Sequence, residues 1–254
     1  MSDLHRRVNR LERLASMTRE CPVCRDGRLR PGRQVVVAGR TSSGKTCAAL
    51  QVALSAARAG VGVAVFSLEM SDAEVVERLL VQACGPGAAV KPSAFTAAAD
   101  VIKELPLHID DSSSITMAEV GARALRVQRR GGLGVVVIDY LQLLAPSKAE
   151  NRTRELELLS RDSKLLAKRL GVAVLMLAQL SRLADQERRP RMAHLRGSGA
   201  IEQDADQVIL LDKPDRQSAT PGAADKVTFI IGKNRHGRTG DVPLIFKPEA
   251  LSFR

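Results

Sequence analysis

Gln34-Val-Val-Val-Ala-Gly-Arg-Thr-Ser-Ser-Gly-Lys-Thr46 is the stretch that decides the fold. An apolar run ends at Gly39, a short polar loop follows, and Gly44-Lys45-Thr46 open an alanine-rich segment. This is the G-x-x-x-x-G-K-[ST] pattern in the strand–loop–helix setting it requires. Glycines at 39 and 44 let Arg40, Thr41, Ser42 and Ser43 curl so that their backbone N–H groups face a polyphosphate. The helix that follows adds the positive end of its dipole. Lys45 is then expected to reach the β- and γ-phosphates, and the Thr46 hydroxyl to ligate Mg²⁺. ATP and Mg²⁺ are the expected cofactors.

Outward from this loop, short apolar runs alternate with helical patterns. Runs at 34–38, 61–67, 107–109, 135–138, 172–177, 207–211 and 227–231 read as strands. Helical spacing fills segments such as 47–59, 73–82, 117–129 and 154–169. Several strands are continuous Val/Ile/Leu runs, as expected when both faces of a parallel sheet are covered. The expected fold is therefore α/β, a mostly parallel central sheet with helices on both faces.

Ligands of open α/β sheets gather at the carboxyl ends of the strands, and three further residues fall there. Asp139 ends Gly-Val-Val-Val-Ile-Asp and is placed to hold Mg²⁺; a strand-terminal Asp can equally cap the next helix. Glu69 follows Val-Ala-Val-Phe-Ser-Leu, where a carboxylate can orient a water against the γ-phosphate. Gln179 ends Val-Leu-Met-Leu-Ala; its amide can bond a phosphate or simply meet solvent.

Composition narrows the partner. The net charge of +11 asks for a polyanion, nucleic acid being the usual one. Aromatics are only 2%, with no Trp and one Tyr, which argues against a base-stacking platform and for a grip on phosphates. No apolar run is long enough to span a membrane and no secretory signal opens the chain, so a cytoplasmic protein is expected. Cys21 and Cys24 form half of a zinc ribbon; Cys47 and Cys84 have the wrong spacing to complete it, so reduced thiols are the simpler reading and zinc the alternative. Residues 1–30 divide off as a short amphipathic helix (1–17) and a linker, leaving 31–254 as the main domain.

Six segments together resemble the motor domain of DnaB-family replicative helicases. They are AGRTSSGKT, FSLEMS, IDYLQLL, LLSRDSKLLAKRLGVAVLMLAQLSR, LRGSGAIEQDAD and GKNRHGRTGDV, in the family's order and spacing. The resemblance implies a RecA-like core and a hexameric ring that hydrolyses ATP between subunits and moves 5′–3′ on single-stranded DNA. It casts Glu69 as the catalytic glutamate and Gln179 as the residue coupling phosphate state to the DNA loops. Lys233 and Arg235 match the basic pair that reaches a neighbouring subunit's site, Arg235 being the arginine finger; the plainer alternative is a basic hairpin touching DNA or solvent. Arg196, Gly197, Ser198 and Gly199 match the loop that lines the central pore and contacts DNA.

Two departures stand against the resemblance. Where the family has D-L-R-E-S-G, this chain has His194, Leu195, Arg196 and Gly197, without the carboxylates. The family's N-terminal domain, which helps build the ring and receives primase, has no counterpart in the first thirty residues. Two other readings follow. One is a RadA-type recombination ATPase, echoed by the Cys21/Cys24 pair and Lys233-Asn234-Arg235. The other is a non-catalytic relative that binds ATP and DNA and regulates a full-length helicase. Primase, a loader or that helicase are the protein partners implied.

Overall fold

In the computed structural model the described residues are 29–85, 92–139, 152–181, 183–187, 189–195, 198–213 and 225–254. The helix expected at 1–17 and the Cys21/Cys24 pair lie outside them. All seven expected strands form: β1 (Gln34–Gly39), β2 (Val63–Ser67), β3 (Leu107–Asp110), β4 (Val135–Asp139), β5 (Ala173–Gln179), β6 (Gln207–Asp212) and β7 (Asp225–Asn234). The first six run parallel in the order β3-β2-β4-β5-β1-β6. β7, β8 (Gly240–Lys247) and β9 (Ser252–Phe253) extend the sheet antiparallel beyond β6. The expected α/β architecture, mostly parallel, is the one observed.

Alternate residues of each strand serve two cores. Val35, Val37, Val63, Val65, Leu175 and Leu177 face one side, packed with α1 (Lys45–Arg58) and α2 (Asp72–Cys84). Val36, Ala38, Ala64, Phe66, Val174 and Met176 face the other, packed with α4 (Met117–Gly131) and α5 (Arg152–Leu170). α3 (Pro92–Lys103) lies between α2 and β3 in sequence. Each buried Val or Leu contributes on the order of 1.5–3 kcal/mol, so a polar residue in a central strand is costly on either face. Sequence also sets where the helices begin. Ser71 with Glu74 and Thr116 with Glu119 close reciprocal capping boxes that start α2 and α4.

β8 and β9 were not legible as strands. Gly240-Asp-Val-Pro-Leu-Ile-Phe-Lys247 carries a proline, which argues against a paired strand. The structure accommodates Pro243 because the chain from Ser252 to Arg254 pairs with β8 only from Ile245 to Lys247, leaving the edge at Pro243 unladdered by any described strand. β9 docks the chain end near the phosphate loop: Gln51 of α1 accepts from Phe253 N (2.8 Å) and donates to Phe253 O (2.9 Å). The Phe253 ring meets Phe229 edge-on and Phe246 at a tilt, with centroids 5.0 and 4.9 Å away.

At the other end of the strands a buried polar tie closes the sheet. Asp206 accepts the Gln34 N–H at 2.8 Å and pairs with Lys164 of α5. Burial works against that carboxylate's charge, but Lys164 and the Gln34 N–H outweigh it and hold its pKa below the usual range. Asp206 ends the segment LRGSGAIEQDAD, and Lys164 lies within LLSRDSKLLAKRL.

Candidate functional site

The loop after β1 is shaped by close approach. A Cβ at Gly39 would come within 2.4 Å of Ser43 Oγ, and one at Gly44 within 2.9 Å of the Phe253 ring. Gly44 caps α1 with φ 93°, and Ser42 adopts φ 59°, turns that bring successive N–H groups to one side. The first turn of α1 has no acidic residue, so its dipole is left for an anion. Lys45 Nζ donates to Gly39 O (3.1 Å) and Arg40 O (2.7 Å). Burial lowers the Lys45 pKa, while Asp139 and Glu69 oppose that shift. Ser43 Oγ is buried without a partner. Glycine cradle, ammonium and free helix end together fit a polyphosphate. Arg40 departs from the expected pattern in one respect: its guanidinium donates to Ala184 O and Glu187 O, so what it turns to a phosphate is its backbone.

Thr41, Lys45, Thr46, Glu69, Asp139 and Gln179 line one cavity of about 560 Å³ at the carboxyl edge of the sheet. The residues expected from four separate stretches are thus brought together. Gln179 donates to Thr41 Oγ1 at 2.9 Å, tying the end of β5 to the phosphate loop. Glu69 lies two residues past β2 and is exposed; Ser67 Oγ donates to Met70 O (2.7 Å) and accepts from Met70 N (3.3 Å), shaping the turn that presents it. Leu68 N donates to Asp139 O at 2.7 Å, fastening that turn to the end of β4. Thr46 and Asp139 both line this cavity, and the Thr46 hydroxyl favours the charged form of the Asp139 carboxylate. A hydroxyl and a carboxylate lining one cavity beside the phosphate cradle are a donor set that suits Mg²⁺.

Among the cavity residues that sequence reading missed is Arg78 of α2, whose Nη1 lies 3.9 Å from Cys47 Sγ. Its signal was available. Val75, Leu79 and Gln82 are the buried residues of α2, and Arg78 sits on their stripe. A cation there needs an anion, and here it helps to offset the charge of Asp139.

Burial raises the Asp139 pKa and Glu69 adds to the rise, while Thr46, Lys45 and Arg78 pull against it. The sign is then fixed. The folded state holds the proton more tightly than the unfolded one, so stability falls as pH rises from the unfolded value near ~3.9 through the folded one. Asp139→Asn is expected to raise the melting temperature of the ligand-free protein at neutral pH, at about 2–4 °C per kcal/mol for a domain of this size. It should also flatten the pH dependence of melting and reduce the stabilisation given by Mg²⁺-nucleotide. Equal or lower melting in the variant would show that the buried charge carries no net cost.

Lys233 and Arg235 sit elsewhere. Asn234 pairs with Gln207, the first residue of β6, whereas Gly39 pairs with Leu211 near its end. Four strand residues, about 13 Å, separate the two levels along the strand direction. Both side chains cap α7 (Ser198–Asp204): Lys233 donates to Glu202 O and Gln203 O, and Arg235 to Gln203 O. Arg235 N donates to Asp206 O at 2.9 Å, so the Lys164–Asp206 tie also fixes where this basic pair stands. Neither residue reaches its own phosphate loop.

A family model described as the DnaB-like helicase C terminal domain matches residues 26–254. The chain belongs to that family. Over 236 residues it is 38% identical to the replicative DNA helicase DnaB of Geobacillus stearothermophilus, an alignment covering 86% of this chain and 51% of the relative. The corresponding enzyme of Bacillus subtilis, named replicative DNA helicase DnaC, is 36% identical with the same coverage. Among solved structures, a DnaB-like replicative helicase described with its interactions with primase superposes with a TM-score of 0.82 at 33% identity, covering 88% of this chain and 57% of that one. A second solved structure, described as an ATPase domain, superposes with a TM-score of 0.80 at 33% identity, covering 88% and 84%. The chain spans about half the length of the curated relatives it matches.

Of the residues expected to form a DNA loop, only some are among those described. Arg196, Gly197 and the Ser198 side chain lie outside the described residues, and Gly199 stands exposed in α7. His194, where the family pattern has an acid, is buried; its Nδ1 accepts the Arg191 N–H (3.0 Å) and its Nε2 lies 3.2 Å from Glu187 Oε1. Among the described residues no helix is long and apolar enough to cross a membrane.

Proposed function

We propose that residues 31–254 form an ATP-driven DNA helicase motor, active as a head-to-tail ring in the cytoplasm. One observation supports the ring above others. Phosphate cradle, metal ligands and water-orienting glutamate stand at one edge of the sheet, and the Lys233/Arg235 pair stands at the opposite edge. A heterologous contact between identical subunits brings the second set to the first, and repetition of that contact closes a ring. Six subunits and 5′–3′ movement are the family's values.

The roles follow from position. The loop from 39 to 46 and the start of α1 bind the triphosphate; Thr46 and Asp139 hold Mg²⁺, which supplies charge neutralisation at the β- and γ-phosphates. Glu69 accepts a proton from, and orients, the attacking water. Gln179, bonded to Thr41, reads the presence of the γ-phosphate. Arg235 of the neighbouring subunit stabilises charge on the transferred phosphoryl group. Arg196, Gly197, Ser198 and Gly199 contact the DNA backbone without reading its sequence, consistent with the basic charge and scarce aromatics. Primase or a loader are the protein partners this reading implies.

The test is ATP turnover per subunit measured against protein concentration, with and without single-stranded DNA, with Lys45→Ala as the blank. A rate that rises with concentration and rises again with DNA is the expected result, and a forked duplex should then be unwound. A flat rate near the blank, unchanged by DNA, would favour the regulator of a partner helicase instead.

A further inference from the structure

Two separate tracks of hydrogen bonds leave the nucleotide site and meet at His194. The first runs along the backbone. Gln179 is bonded to Thr41; one residue on, Leu180 forms a lone antiparallel bridge with Leu195, and Ser181 N donates to His194 O at 2.8 Å. The second runs through side chains and begins on the phosphate loop itself. Arg40 Nε and Nη2 both donate to Ala184 O (3.0 and 2.6 Å), and Nη2 also reaches Glu187 O (2.6 Å). Glu187 carries the track onward: its carboxylate lies 3.2 Å from His194 Nε2 and 3.2 Å from Arg191 Nε.

The second track is able to transmit a displacement. α6 (Leu183–Gln186) is a single turn, too short to hold itself, and Leu183 is 62% exposed. Its place is therefore set by what grips it, which is Arg40, the buried Ala184 and the Ala184 N–H bond to Ser181 O (2.9 Å). Hydrogen bonds of this kind tolerate only a few tenths of an ångström before weakening. A shift of the phosphate loop that the Arg40 side chain does not absorb drags residues 184–187 with it or breaks three bonds. His194 is the fixed receiver. Its Nδ1 accepts the Arg191 N–H, so Nε2 carries the proton and is the atom that faces Glu187. Buried to 4% exposure, it has no other place to turn, and Leu195 next to it leads into Arg196.

We propose that Glu187 and His194 are positioning residues that couple the nucleotide loop to the DNA loop beginning at Arg196, in parallel with the route through Gln179. The inference rests on the reading of that loop as the DNA contact. It gives the departure at 194 a physical content: in place of the family's acid stands a donor, and the acid that partners it is Glu187, held on the same short turn that Arg40 grips. The link is a contiguous chain of contacts, and coupling energy along it is what the experiment must show.

The experiment measures basal turnover, single-stranded DNA affinity with and without a non-hydrolysable ATP analogue, and turnover at saturating DNA. Glu187→Ala and His194→Asn are expected to keep basal turnover and nucleotide affinity within about twofold and to lose DNA stimulation by about tenfold. The same variants should also lose the effect of the ATP analogue on DNA affinity and, because binding couplings are reciprocal, the effect of DNA on affinity for the analogue by the same factor. Glu187→Gln and His194→Gln retain an acceptor and a donor at the meeting atoms and should stay close to wild type, which separates lost coupling from lost folding. The double variant Glu187→Ala/His194→Asn should be no worse than either single change, since both break one link. Full stimulation in Glu187→Ala and His194→Asn would overturn the strap and leave the helicase reading standing. Wild-type protein that neither binds DNA nor responds to it would overturn that reading, and the strap with it.

Discussion

Arg235→Ala is expected to slow ATP hydrolysis by about 10³-fold or more while leaving ATP affinity close to wild type, the scale of arginine-finger effects. The geometry behind the number is the separation of Arg235 from its own phosphate loop. It follows Asn234, at the level of Gln207, and its guanidinium is held on Gln203 O at the carboxyl end of α7. An arginine side chain does not cover about 13 Å of strand to reach the loop beyond Gly39. Its loss should therefore harm the neighbour's site and spare its own. Mixing decides this. A subunit carrying Arg235→Ala keeps an intact nucleotide site, and a subunit carrying Lys45→Ala keeps an intact finger. Mixed rings of the two should recover turnover that neither shows alone. No recovery in mixed rings would place Arg235 in cis or outside the reaction.

Glu69→Gln should cut turnover by about 10²–10⁴-fold, the usual range for losing a positioned base, with ATP still bound. The amide is isosteric, so the turn made by Ser67 and Met70 survives, as does the Leu68–Asp139 bond. What is lost is the proton acceptor facing the cavity. Nucleotide should then accumulate unhydrolysed on the protein, read as retained radiolabelled ATP and as increased thermal stability with Mg²⁺-ATP. Turnover at the wild-type rate in Glu69→Gln would remove this residue from the chemistry and shift attention to Glu74, a further carboxylate of the cavity.

Asp139, Glu69 and Gln179 could be found in the sequence because each ends or follows an apolar run, and a parallel sheet puts all such ends at one edge. Local pattern also told where α2 and α4 begin, since Ser71 and Thr116 each stand three residues before a glutamate. Arg78 escaped because its meaning lies in the opposing Asp139, on a strand far along the chain. The extension of the sheet by β8 and β9 escaped for a related reason. Pro243 is acceptable only because the outer side of β8 is left largely unladdered, a fact about β9 and not about residues 240–247.

The sequence by itself determined the phosphate loop, the strand–helix alternation and the set of charged and polar residues at the strand ends. These are properties of neighbours in the chain: period, glycine placement and terminal residue type. Only the tertiary structure decided which residues work at the same place. Antiparallel return of β7 along β6 carries Lys233 and Arg235 to the edge opposite the phosphate loop, and side-chain reach across 144 and 147 positions puts Arg40 on residues 184 and 187. Strand register and long-range hydrogen bonds are set by the packing of the whole sheet against its helices, and no local window of sequence contains them.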